Sequence, residues 1–256
     1  MAILEIKNVV KKFITEKKEV LAVDNVNFEV RNNEFLSIVG PSGCGKSTIL
    51  RMIAGLEKPT SGEILIEGRK IEKPDAERGM VFQQYTLLPW RTVLENVGFG
   101  LEIKGVPKAE RDEVARKFIK MIGLEGFEDA YPYELSGGMQ QRVAIARTLA
   151  NDPKIVLMDE PFGALDTQTR TILQNELLKI WEKDKKTVVF ITHSVEEAVY
   201  LSDRVIIMTA RPGKVKDIVD ISLDRPRKRN TVEFLEYKKQ IVDKLKDEVL
   251  KSYNHQ

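Results

Sequence analysis

Several groups of residues have types and spacings that could do chemistry on a phosphate. Gly40-Pro41-Ser42-Gly43-Cys44-Gly45-Lys46-Ser47-Thr48 fits G-x-x-x-x-G-K-[ST], a loop whose backbone N–H groups cradle phosphates. Its glycines let those N–H groups turn inward with no Cβ in the way. Lys46 is then placed to reach the β- and γ-phosphates of a triphosphate, and the Ser47 hydroxyl to ligate Mg²⁺. Asp159 and Glu160 end the apolar run Ile155-Val156-Leu157-Met158. There Asp159 would accept from Mg²⁺-bound water and Glu160 would polarise an attacking water. Paired acids at a strand end can also be merely solvated. Ser136-Gly137-Gly138 precedes a strong helix, so it reads either as a second anion-binding helix start or as an ordinary cap. Gln83 has an amide that could ligate Mg²⁺ or position a water, and His193 could hydrogen-bond a γ-phosphate. Taken alone, each is more ordinarily a solvated surface residue. Cys44 sits near a helix N-terminus, which predicts a lowered thiol pKa and loss of phosphate binding on alkylation.

These residues need elements to hold them. Phe35-Leu36-Ser37-Ile38-Val39 reads as a buried strand leading into the glycine-rich loop, and Ser47 to Ala54 as the helix behind it. That helix aims about half a positive charge at the loop. Residues 155–160 and Thr187-Val188-Val189-Phe190-Ile191-Thr192 read as strands buried on both faces of a parallel sheet, with ligands expected at their C-terminal ends. Val205-Ile206-Ile207-Met208 and residues 215–219 add a hairpin around Arg211-Pro212-Gly213. Ahead of the loop, residues 3–10 and 26–30 alternate as half-buried strands, with a turn at Glu16-Lys17-Lys18-Glu19. Phe13, beside that turn, can stack on an adenine or pack into the β layer; spacing leaves both open. Residues 63–68 read as a strand and turn, and Gly79-Met80-Val81-Phe82-Gln83-Gln84 as a strand with a polar end. From Val93 to Gly123 the period becomes helical, with Gly105 and Pro107 separating two helices. The last segment is amphipathic: Phe234, Tyr237, Ile241, Leu245 and Val249 share one helical face that is expected to pack back on the domain.

Composition narrows the class. The 256 residues suffice for one large α/β unit or two small ones, and 42% hydrophobic content is ordinary for a globular chain. A net charge of +2 from 41 basic and 39 acidic residues argues against a dedicated nucleic-acid binder. One cysteine forms no internal disulfide, which points to a reducing compartment. No apolar run nears the ~20 residues that span a bilayer, and Met1-Ala2-Ile3-Leu4-Glu5-Ile6 has no signal-peptide pattern. A cytosolic protein whose membrane contact goes through a partner is expected.

Taken in chain order, the motifs resemble the nucleotide-binding subunits of ATP-binding cassette (ABC) transporters. In that resemblance Phe13 is the adenine-stacking aromatic, Gly40 to Thr48 the Walker A loop, and Gln83 the Q-loop. Leu135-Ser136-Gly137-Gly138-Met139 is the signature, 155–160 the Walker B strand, Ala164-Leu165-Asp166 the D-loop and His193 the switch histidine. Met139 departs from the family's commoner glutamine, and Gln140 and Gln141 follow at once, so little loss is expected. The resemblance implies an α/β P-loop NTPase (RecA-like) core with an antiparallel β subdomain and a helical subdomain at roughly 88–150. The ATPase domain would cover 1–230 and a helical tail 231–256. It also implies MgATP held between two copies arranged head to tail, each supplying half of every site.

One copy of each motif on a chain with no membrane span is similar to importers, which carry the ATPase as a separate chain. Thr86-Leu87-Leu88-Pro89-Trp90-Arg91-Thr92-Val93-Leu94-Glu95-Asn96-Val97, Phe162-Gly163-Ala164-Leu165-Asp166, Arg211-Pro212-Gly213-Lys214 and the Arg225-Pro226-Arg227 run are similar to the ATPases of nitrate, aliphatic sulfonate and taurine importers. Such a subunit would lie on the inner face of the membrane. It would dock a permease helix near Gln83 to Trp90, with Leu87, Leu88 and Trp90 in the contact, and serve a periplasmic or lipid-anchored solute-binding protein indirectly. Burial of these three under the helical block is the other reading. A soluble ABC ATPase, for example in iron–sulfur assembly, is the alternative class. A non-enzymatic nucleotide-binding module is disfavoured by the presence of both Glu160 and His193.

Overall fold

Strand β3 (Phe35–Val39) is buried at all five positions, because it runs parallel between β8 (Thr187–Ile191) and β9 (Arg204–Met208). Neither face meets water, which is why its sequence is an unbroken apolar run apart from Ser37. The computed structural model describes residues 2–14, 18–163 and 165–253. Glu16 and Lys17 of the expected turn and Ala164 of the expected D-loop lie outside the described residues. The chain divides into two compact units, Met1–Asp75 with Thr187–Gln256, and Ala76–Lys186.

The first unit is built around β3. Its strand order is β10-β9-β3-β8, with β10 (Val215–Asp220) antiparallel to β9 as the hairpin pattern predicts. Helix α1 (Lys46–Ala54) follows the glycine-rich loop and α6 (Val195–Leu201) follows β8. A second sheet, β2-β1-β4-β5, is antiparallel. Strands β1 (Ala2–Ile14) and β2 (Glu19–Arg31) extend past the expected 3–10 and 26–30. The alternation is interrupted by register shifts near Asn8 and Asn25, both at positive φ, which asparagine tolerates better than most residues. β4 (Ser61–Ile66) and β5 (Arg69–Lys70) close this sheet.

Helix α7 (Val232–Tyr253) packs on α6 and β9, and its Phe234 and Ile241 are fully buried. The expected apolar face is only partly right. Val249 remains 39% exposed, and the neighbouring Glu248 is turned inward instead. An acidic residue occupies that inner position because it has partners there, described below.

In the second unit β6 (Arg78–Val81) pairs in parallel with β7 (Ile155–Asp159). β6 stops at Val81, so Phe82, Gln83 and Gln84 lie beyond the strand expected to include them. Helices α2 (Val93–Ile103), α3 (Lys108–Met121) and α4 (Gly137–Leu149) share a core of Val93, Val97, Ala115, Ile119, Val143 and Ala146. Thr92 and Glu95 form a capping box that starts α2. Gly105 and Pro107 separate α2 from α3, as the sequence predicts. Helix α5 (Thr167–Asp184) completes the unit.

Candidate functional site

The glycine-rich loop leaves the C-terminal end of β3 and opens α1. Gly43 and Gly45 have φ of 72° and 99°, so successive backbone N–H groups can face one side of the loop. Gly45 caps α1 without a side-chain hydrogen bond, which leaves the helix N-terminus available to an anion. Lys46 is only 5% exposed. Its Nζ donates to the carbonyl oxygens of Gly40 and Pro41, each at 2.9 Å, and lies 3.9 Å from Cys44 Sγ. Among the described residues it pairs with no carboxylate. A desolvated ammonium held by dipoles alone gains from a bound phosphate, so the loop fits the group its sequence predicts. The lysine is folded back on the loop here and must turn to meet a phosphate.

Cys44 corrects an expectation. It is fully buried, and burial pushes its thiol pKa up, only partly opposed by the Lys46 ammonium. Proximity to a helix start does not lower a thiol pKa when desolvation of the thiolate costs more.

His193 is exposed just after β8. It lines a cavity of about 260 Å³ together with Gly40, Pro41 and Ser42 from the loop, and with Leu245, Val249 and Ser252 from α7. The structure thus brings the tail to the loop, a meeting that no local pattern signals. Arg211 also joins the loop, although its sequence setting marks only a hairpin: its Nε donates to the Gly43 carbonyl at 3.2 Å. Phe13 is 38% exposed opposite Val20, with Lys11 Nζ 4.9 Å from its ring centroid. It is therefore accessible for stacking and is not buried in the β layer.

In the second unit Asp159 is buried at the end of β7, and Glu160 follows with φ of 49°, outside the strand. Gln83 Nε2 donates to Glu160 Oε2 at 3.1 Å. Ser47, Gln83 and Asp159 each carry a side-chain oxygen, the donor type that suits Mg²⁺. No group of three or more His, Cys, Asp or Glu able to hold a metal occurs among the described residues.

Ser136 caps α4, its hydroxyl accepting from Met139 N at 3.3 Å, and Gly137 and Gly138 form the first turn. Met139 packs against the helical core. Gln140 spends its amide on Pro132 O and Leu135 O at 3.0 and 3.2 Å, and Gln141 is buried. Neither glutamine side chain is thereby placed to stand in for an outward side chain at Met139. Asp166 caps α5 by accepting from the N–H groups of Gln168 and Thr169, each at 3.0 Å. Hydrogen bonds, with Thr169 first, lower its carboxyl pKa.

Beyond Gln83 the chain borders an open groove of about 580 Å³, lined among others by Tyr85, Leu87, Pro89, Tyr133 and Gln140. Trp90 is 70% exposed, whereas Leu87 packs partly on the helical core and Leu88 is half-buried. The segment is held by Asn96, a fully buried side chain that bonds Leu88 N, Leu88 O, Arg91 O and Thr92 O. No helix among the described residues is long and apolar enough to cross a membrane.

Comparison with known proteins agrees with this arrangement. Residues 23–163 match the ABC transporter family model. An uncharacterised ABC transporter ATP-binding protein of Methanocaldococcus jannaschii is 69% identical, with 97% of this chain and 93% of the relative covered. An aliphatic sulfonates import ATP-binding protein, SsuB, of Bacillus cereus is 46% identical, with 93% and 94% covered. Among solved structures, a dimeric post-hydrolysis state of an ATP-binding cassette bound to ADP and Pi superposes with a TM-score of 0.79. It is 40% identical and covers 86% of this chain and 100% of that one. The phosphate-binding loop, the capped signature helix and these relatives lead to one conclusion: the chain belongs to the ABC transporter family, as an ATP-binding subunit with a P-loop NTPase fold.

Proposed function

We propose that this chain is the ATP-hydrolysing subunit of an ABC importer and energises solute uptake through a separate membrane permease. The observation that carries the ATPase part is Lys46, a buried ammonium at the start of α1 that bonds the Gly40 and Pro41 carbonyls and, among the described residues, pairs with no carboxylate. Aliphatic sulfonates are the proposed cargo class, with nitrate and taurine as neighbouring choices. The support is the resemblance to the aliphatic sulfonates import ATP-binding protein SsuB over nearly the whole chain.

In this reading Lys46 and the N–H groups of residues 40–48 bind the β- and γ-phosphates, and Phe13 stacks on the adenine. Glu160 accepts a proton from the attacking water while the water oxygen bonds to the γ-phosphorus. The bond to the bridging oxygen breaks, and ADP and phosphate leave. His193 donates to the γ-phosphate, and Gln83 orients the water. Ser47, Asp159 and Gln83 would hold Mg²⁺, which neutralises charge on the phosphate oxygens when bound. Ser136, Gly137, Gly138 and Asp166 act on the nucleotide of a second copy, so that neither copy alone has a complete site. The exposed Trp90 and the adjoining groove would receive a short helix of the permease, at the inner face of the membrane. A solute-binding protein would meet the permease and not this chain.

The test is uptake by a strain lacking its own sulfonate importer, supplied with this chain, its neighbouring permease and its neighbouring binding protein. Growth on ethanesulfonate as sulfur source that is lost with Lys46→Ala supports the reading. ATP hydrolysis without any sulfonate uptake would remove the cargo assignment and leave the ATPase.

A further inference from the structure

The turn between β9 and β10 is held from one side by α7 and holds the phosphate-binding loop on the other. On the α7 side, the buried Glu248 accepts from the Ala210 N–H at 3.0 Å and from Lys216 and Lys251 Nζ, each at 3.0 Å. On the loop side, the next residue, Arg211, donates from Nε to Gly43 O. Its guanidinium lies across Gly43: a Cβ there would sit 3.0 Å from Nη2. Two residues on, Gly213 is packed so closely that a Cβ would lie 1.9 Å from the Cys44 carbonyl oxygen.

The turn itself has little freedom. Thr209 Oγ1 donates to Pro212 O and accepts from Lys214 N, while Gly213 exchanges backbone bonds with Ala22 and Asp24 at 3.0 Å. Gly45 is wedged against the same stretch, since its Cβ would lie 2.8 Å from Val23 Cγ2. A shift of the turn therefore has to move residues 43–45, the part of the loop whose N–H groups would face a phosphate.

We propose that Arg211 and Glu248 are positioning residues for the ATP-binding loop. Glu248 fixes the turn to α7, and Arg211 fixes the loop to the turn. This rests on reading residues 40–48 as the ATP site. Neither side chain touches the reacting atoms. Their effect is to keep Gly43 and Gly45 in the conformation that binds phosphate, so it falls on ATP binding more than on the chemical step.

The experiment is steady-state ATP hydrolysis by the full-length chain with Mg²⁺, and it separates KM from kcat. Arg211→Ala and Arg211→Met should raise KM roughly three- to tenfold, the range expected for one hydrogen bond, with kcat changed less than about twofold. Arg211→Gln places an amide nitrogen where Nε now sits and should restore KM to within about twofold. Glu248→Ala should raise KM in the same range, and combining it with Arg211→Ala should add little more, because both cut one relay. Lys216→Met only loosens Glu248; it guards against misfolding and should raise KM by roughly twofold.

Arg211→Gln as weak as Arg211→Met would overturn the proposal, since charge and not the hydrogen bond would then matter. KM effects of Arg211→Ala and Glu248→Ala that multiply would overturn the relay, as would an unchanged KM in Lys216→Met. Absence of ATP hydrolysis in the unsubstituted chain would instead remove the ATPase reading itself.

Discussion

Gln83 Nε2 donates a hydrogen bond to Glu160 Oε2 across 3.1 Å, joining the end of β6 to the end of β7. The bond uses the nitrogen end of the amide, so Gln83 Oε1 remains the atom suited to a cation. It also fixes the Glu160 carboxylate from one side. Replacing Glu160 by glutamine keeps an acceptor for this bond but removes the proton acceptor. Glu160→Gln should bind ATP, hydrolyse it roughly 10²–10⁴-fold more slowly and accumulate as an ATP-bound dimer. Phosphate release and size-exclusion chromatography with ATP check this; normal turnover would remove Glu160 from the role.

Cys44 should be an unreactive thiol. It is buried, and its pKa is raised by that burial. A thiol reagent at pH 8 should modify the native chain at least roughly tenfold more slowly than the chain in urea. Equal rates would mean that the loop opens far more readily than its hydrogen bonds allow.

Glu248 should impose a defined acid dependence on stability. Burial pushes its carboxyl pKa up, but the Ala210 N–H and the Lys216 and Lys251 ammonium groups outweigh it and hold the value at about 2. The folded value lies below the unfolded one, about 4.3. The stabilisation is therefore complete above that pH and is lost as pH falls from about 4.5 toward 2. It amounts to at most about 3 kcal/mol. Urea midpoints of the native chain and Glu248→Gln should differ most at neutral pH and converge near pH 2 to 3. A gap independent of pH would contradict the buried charged state.

Much of this arrangement is legible in the sequence because it is local. The five-residue runs of β3, β7 and β8 are buried along their whole length, and burial on both faces leaves an unmistakable apolar run. Ser136 before two glycines is a cap whose geometry follows from the residue type. What was not legible depends on distant partners. Arg211 and Gly43 are 168 residues apart. Glu248 turns inward only because Ala210, Lys216 and Lys251 await it, and periodicity alone favours Val249 there. The early end of β6 and the irregular stretches of β1 and β2 reflect backbone demands that alternation does not record.

In the proposed dimer each ATP is shared between the loop of one copy and the signature helix of another. Mixing two inactive variants tests it most directly. Lys46→Ala destroys the loop and Ser136→Arg the signature helix start, so neither variant should hydrolyse ATP alone. In a mixed dimer one site joins the intact loop of one copy to the intact signature of the other. Equal mixing should therefore restore activity, up to roughly a quarter of the wild-type sites. A mixture as inactive as its components would contradict shared sites, as would full activity of Ser136→Arg alone.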